Sequence, residues 1–489
     1  MAFPGRGDLP HDSAKLRLIM TAESNQGNPP DRSITAIKAV IRYYHPNIPG
    51  MLIETDVTIN RGQFVVNQLP IELEMRGESS LEIKAVYVES ISPISVYLVS
   101  DSKKGFAVSK LYSEQFWSQD YVVLIPDAEF PHFAKLVIVA ASAGTNVDLK
   151  FRDEIINLKI EYNGELYKGR SQLSINLRKY EAIQLESYRE KSNEADVSGT
   201  RLKASKPVAV FVGVFTKEGG FGYEQLMSMT SEAWGQEFVV STAAPDEGTI
   251  QSAKAIATTS GLLSTNEGTL QLHPFQPVAV PLKRSQILKG TASFMVMVCS
   301  SILGSSGDPA VTGVVPLSYY VNEVDIVTPN KAGNSPLGSF LYLHLMTRYS
   351  DGIQIGGVDV RNKEIIAQVR AQAGSYAVVK IPVASGATKL ISNKNNYEAL
   401  LGAIMRGSTD SLTFATQVGF EPVLTCGSAR HSLPPKKTAK LSSDEIKNLF
   451  PVIKSVGGTP IVYRNFTFEF SVRPTLHVAV TKLKKANFL

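Results

Sequence analysis

FWSQDYVV (Phe116–Val123) and AWGQEFVV (Ala233–Val240) are one phrase written twice. They hold the chain's only two tryptophans, Trp117 and Trp234, which stand 117 positions apart, each followed by Gln, an acid, an aromatic and two valines. Self-similarity at a fixed spacing marks a module used more than once. The 489 residues therefore read as copies of one unit, and the length suits several cores of about 100 to 150 residues each.

Working outward from the phrase, the signal is period two. Ile94, Val96 and Leu98 alternate with Ser95 and Tyr97, Val147, Leu149 and Phe151 alternate with Asp148 and Lys150, and Phe466, Phe468, Phe470 and Val472 alternate with Thr467, Glu469 and Ser471. Alternate side chains of a strand face opposite ways, so each pattern puts one face on a core and the other in water. Asn163-Gly164, between LKIEY and ELYKG, tolerates the two positive φ angles of a type I′ turn and predicts a hairpin; Gly356-Gly357 predicts another. The one helix signal is SSDEIKNLFP, with Ser442 and Glu445 at capping-box spacing and Pro451 as its stop.

Four stretches read as a polar turn followed by a buried strand: Val88–Ser100, Leu202–Val214, Gly290–Ser301 and Ile391–Ala403. In the first two, Pro93 and Pro207 are expected to open the strand, where a missing N–H costs no ladder bond. The fold class expected is all-β, with tandem antiparallel β-sandwich-like units at 1–100, 101–215, 216–315 and 316–425. A small C-terminal appendage follows at 426–489. A tryptophan at the same point of two sandwich units reads as a core plug, while Tyr43-Tyr44, Tyr319-Tyr320 and Trp117 are the aromatic candidates for an external contact.

Composition narrows the function. Fifty Lys and Arg against 45 Asp and Glu leave +5, with no dense basic stripe, so nucleic acid is not an expected partner. No run of about 18 apolar residues exists to span a membrane as a helix, and the first thirty residues lack the apolar core of a signal peptide. The chain thus reads as a mature form, or one that does not use the secretory route.

Chemistry is sparse. Seven scattered histidines form no HExxH or HxH, and there is no CxxC, GxSxG, phosphate loop or GxGxxG, so no catalytic, cofactor or metal site is expected. Three residue sets remain as minor candidates. Arg6-Gly7-Asp8 is a tripeptide that some adhesion receptors read, Asn465-Phe466-Thr467 is a glycosylation sequon, and Cys299 and Cys426 form either one disulfide or two structural thiols.

GTRLKASKPVAVFVG followed by YEQLMSMTSEAWGQEFVV resembles the N-terminal domain of the IgGFc-binding protein family. The matching positions are Gly199-Thr200, Ser205 to Val210, Glu224 to Leu226 and Trp234 to Val240, with weaker likeness over about residues 15–425. The resemblance implies a secreted, non-enzymatic protein of mucus, matrix or cell surface. It would act by adhesion to other extracellular proteins and glycoproteins, or by homo-oligomerisation. The loop FTKEGGFGY lacks the cysteines that the family often carries there, and no residue matches an Fc-contact motif, so immunoglobulin binding does not transfer. The competing expectation is a carbohydrate- or ligand-binding protein with its site on loops.

Overall fold

A computed structural model of the chain describes residues 15–22, 36–60, 62–75, 77–102, 105–126, 131–153, 160–188, 196–216, 220–229, 234–242, 249–302, 309–321, 324–328, 338–371, 374–383, 388–393, 401–408, 413–417, 467–472 and 478–484. Two compact units are present, Met1–Pro422 and Val423–Leu489. In the second, Thr467–Val472 and Val478–Lys484 form an antiparallel hairpin in which Phe468 faces Leu483. The expected helix around Ser442–Pro451, the Arg6-Gly7-Asp8 tripeptide, Asn465 and Cys426 lie outside the described residues.

The fold is all-β. Among the described residues the only helical pieces are short 3₁₀ turns such as Glu114–Phe116 and Leu317–Tyr319, and none is long and apolar enough to cross a membrane. Alternation does what its period dictates: in Thr145–Lys150, Val147 and Leu149 are buried while Asn146 and Asp148 face water. Asn163 (φ 52°) and Gly164 (φ 75°) turn the chain from Ile160–Tyr162 into Glu165–Tyr167. Gly356 (φ 60°) and Gly357 (φ 77°) do the same between Ile353–Ile355 and Val358–Asp359.

Two strands organise the middle of the first unit. Arg201–Thr216 pairs with Thr145–Lys150 along its first part, with Pro131–Ala140 along its second, and also with Ser118–Val122 and Phe221–Gln225. Gln286–Ile302 has four counterpart partners, Gly261–Thr265, Thr249–Ala257, Gly235–Val240 and Ala310–Gly313. The doubled phrase occupies corresponding positions: Ser118, after Trp117, faces Val208, and Gly235, after Trp234, faces Phe294. Pro207 does not open its strand, which starts at Arg201. It lies where the strand passes from one partner to the next, beside a register shift between Lys203 and Val208, where a missing N–H is tolerated. The Tyr121 hydroxyl spans this break, donating to Val208 O at 2.7 Å and accepting from Ser118 N–H at 3.1 Å.

Four hairpins share one further rule. A core strand (Ile94–Asp101, Arg201–Thr216, Gln286–Ile302 or Leu401–Ser408) turns into a short closing strand, respectively Phe106–Leu111, Phe221–Gln225, Ala310–Gly313 or Thr413–Gln417. The closing strands lie against one another in cyclic order, first on second, second on third, third on fourth and fourth on first. Within their own hairpins, Ser109 faces Leu98, Glu224 faces Val212, Thr312 faces Val298 and Thr416 faces Met405.

The cores lie between these layers. Trp234 is 4% exposed within the largest apolar cluster, while Trp117 is half-buried against Val137, Val139 and Phe211 and donates its indole N–H to Tyr112 O at 3.0 Å. Phe238 and Phe294, both fully buried, meet at a ring distance of 4.6 Å, each side chain contributing about 1.5–3 kcal/mol by burial. Tyr319 and Tyr320 are buried rather than available to an external partner, because both join the largest cluster. Tyr44 is half-buried, with its ring edge-on to Tyr180 at 5.1 Å.

The closing strands approach so closely that Gly222 has no room for a side chain, since a Cβ there would sit 1.9 Å from Pro309 O. Gly222→Ala is therefore expected to lose about 1–3 kcal/mol in urea denaturation, whereas Thr269→Ala, on an exposed strand, should stay within about 0.5 kcal/mol of the parent.

Candidate functional site

Two places combine polar chemistry with a defined geometry. The first is the centre of the ring of closing strands. Ser109, Glu224 and Thr312, on three of these strands, are all at most 1% exposed. The Ser109 hydroxyl donates to Glu224 Oε1 at 3.0 Å, Gln225 N–H donates to Ser109 Oγ at 3.3 Å, and Tyr112 N–H donates to Gln225 Oε1 at 2.8 Å. Glu224-Gln225, read in the sequence only as part of a motif, is thus a latch between the first and second hairpins.

Burial pushes the Glu224 carboxyl well above the usual carboxylate range, and hydrogen bonds from Ser109, the Gln225 backbone and Thr312 offset only part of that rise. A neutral acid is the form such a site favours. Its side chains hydrogen-bond across two hairpins, so the chemistry of the site is cohesive.

The second place is a cavity of about 420 Å³. Four separate segments build it: Glu237 from the second phrase, Ser264–Asn266 from a hairpin turn, Arg284–Lys289 from the approach and start of the third core strand, and Gln368–Arg370 from the strand Glu364–Ala371. Ile287 and Val369 supply a small apolar floor. Lys289 pairs with Glu237 at 3.4 Å, and Asn266 N–H is fixed by Gln286 Oε1 at 2.8 Å. Neither Arg284 nor Arg370 pairs ionically with a described residue, and both are exposed. The lining carries three cations and one anion. Among the described residues no group of three or more His, Cys, Asp or Glu could hold a metal ion.

Apart from Glu224, Gln225 and Glu237, the motif residues singled out in the sequence lie elsewhere, and several act as braces. Gly199 (φ +86°) donates its N–H to Val123 O at 2.8 Å, and a Cβ there would meet Phe275 O at 2.3 Å. Arg201 stacks over the Phe275 ring at 4.9 Å. Nearby, Asp196 accepts from Lys254 Nζ at 2.8 Å and from Ser198 N–H at 2.9 Å; burial opposes its charge, but Lys254 and Ser198 outweigh burial and hold the carboxyl below its usual range. Gly235 packs against Pro316, where a Cβ would lie 2.1 Å from the proline Cβ. These residues join successive parts of the first unit.

Comparison with known proteins agrees with that geometry. Residues 107–402 match the family model described as IgGFc binding protein. The chain belongs to the IgGFc-binding family. The match opens inside the first closing strand and ends inside the fourth core strand, so the family segment takes in the braces and most of the ring. The IgGFc-binding protein of Homo sapiens is 26% identical over 215 residues, which is 43% of this chain and 4% of that protein. The chain therefore spans a small fraction of that relative's length. Among solved structures, a biofilm associated protein BSP domain aligns over 84% of this chain and 91% of its own at 8% identity, with a TM-score of 0.14 that carries no argument about fold.

Cys299 is buried on the third core strand, opposite Ser252 and Val311, and Cys426, with which it would form the one possible disulfide, lies outside the described residues. The aromatic signal missed a third version of the phrase: YVNEVDIV, starting at Tyr320, follows the third closing strand and its 3₁₀ turn as WSQDYVV follows the first, with tyrosine replacing tryptophan. Tyr320 is 2% exposed.

A raised folded-state pKa means that Glu224 keeps its proton in the native protein at a pH where the unfolded chain has lost it. Its contribution to stability is complete below the ordinary glutamate value of about 4.3 and declines as pH rises toward the folded value, by up to about 1.4 kcal/mol per unit. Glu224→Gln should remove this slope and leave the protein equally or more stable at neutral pH, as measured by urea midpoints from pH 4.5 to 8.

Proposed function

We propose that this chain is a non-enzymatic, extracellular protein-binding module, an adhesive or interaction scaffold made of tandem β units. Family membership over residues 107–402 supports a binding role in preference to catalysis. The recurrence of four such hairpins, each a core strand followed by a closing strand, supports the tandem reading.

The observation that carries the mode of binding is a sheet edge that no described strand pairs. Leu52–Asn60 is an edge strand of the three-stranded sheet formed with Ala36–Tyr44 and Tyr87–Ser90. The turn leading into it exposes Ile48 (47%), Met51 (45%) and Leu52 (43%). An edge presents unpaired N–H and C=O groups, and apolar side chains beside it add the area that a protein contact needs. Self-association through such edges follows from the same physics.

The Fc region for which the human relative is named is the first partner to test. With the full chain flowed over immobilised Fc, over mucus and matrix glycoproteins and over itself, saturable binding is expected in at least one arm. Met51→Asp combined with Leu52→Lys should weaken it about tenfold or more, as loss of a contact anchor does. Failure to bind in every arm, together with monomeric light scattering at high concentration, would overturn the proposal.

A further inference from the structure

We infer that the cavity between the third core strand and the strand Glu364–Ala371 is a binding site for an anionic saccharide, a sugar carrying a carboxylate or sulfate. The inference rests on charge first. Arg284, Lys289 and Arg370 converge on a space of about 420 Å³ in which Glu237 is the one acid, and Glu237 is occupied with Lys289 at 3.4 Å. That leaves two guanidinium groups without ionic partners among the described residues. A guanidinium recognises planar carboxylate or sulfate oxygens through paired N–H bonds. A concave site of one sign also concentrates ions of the other sign.

The remaining lining selects among anions. The side-chain amides of Asn266 and Gln368 each donate and accept, as a polyhydroxylated ring requires. The turn at Asn266 is fixed by its N–H, which donates to the side-chain Oε1 of Gln286 at 2.8 Å, so that part of the wall is preorganised. A nucleotide would want an aromatic face for its base, and a protein segment would want aromatic or large apolar anchors. The lining has neither, and its apolar area is limited to Ile287 and Val369. The volume falls within the range of about 300–1,000 Å³ typical of small-ligand sites.

This site lies apart from the Leu52–Asn60 edge, so it stands whether or not protein binding there is found. The test is isothermal titration of the full chain with glucuronic acid, N-acetylneuraminic acid and galactose 6-sulfate. Glucose and galactose serve as neutral controls and a glutamate-rich peptide as an acidic one. At least one acidic sugar should bind at least tenfold more tightly than its neutral counterpart, and its affinity should fall as salt rises. Arg284→Ala and Arg370→Ala should each cut that affinity about tenfold or more with unchanged thermal midpoints, both side chains being exposed; Lys206→Ala, outside the cavity, should not. Equal binding of neutral and acidic sugars, binding of the peptide alone, or no binding at millimolar concentration would each overturn the assignment.

Discussion

The first unit depends on one constraint: the closing strands of four hairpins must lie against each other, with the polar residues Ser109, Glu224 and Thr312 meeting where three of them touch. Ser109, Glu224 and Thr312 are each held between an apolar residue of their own core strand and a neighbouring hairpin. Burial disfavours a charge there and pushes the Glu224 carboxyl up, and its Oε1 accepts from Ser109. The glycines follow from the same constraint. Gly222 is small because Pro309 is already there, and Gly235 because Pro316 is.

Local features were legible in the sequence. Asn163-Gly164 and Gly356-Gly357 turn the chain as their tolerance of positive φ requires, and alternation located strands such as Thr145–Lys150. The doubled phrase marked strands that face the same register points of two long strands. Its third version was hidden because Tyr320 can fill a core site that elsewhere takes tryptophan, and one residue change breaks a pattern read by eye. Pro207 was misplaced because a sequence does not show where a long strand exchanges partners.

The ring and the cavity were not legible, for a common reason. Packing between closing strands has no period and no signature residue, since Ser, Glu, Thr and Thr share little beyond polarity. The cavity gathers Glu237, Asn266, Arg284 and Gln368 from segments spread over more than a quarter of the chain. Each of these reads alone as an ordinary surface residue. The family motif, by contrast, was legible because its glycines, prolines and aromatics meet steric demands that few residue types satisfy.

Contact between the first and fourth closing strands has a bearing on how the protein is made. Phe106–Leu111 leaves the ribosome early, but the strand that covers one of its flanks is Thr413–Gln417. Loop closure over so long a stretch is slow, and an uncovered strand is exposed to other chains in the interval. Nascent copies crowded on one messenger could therefore exchange fourth strands, each completing its neighbour's ring, until residue 417 of each chain has been delivered.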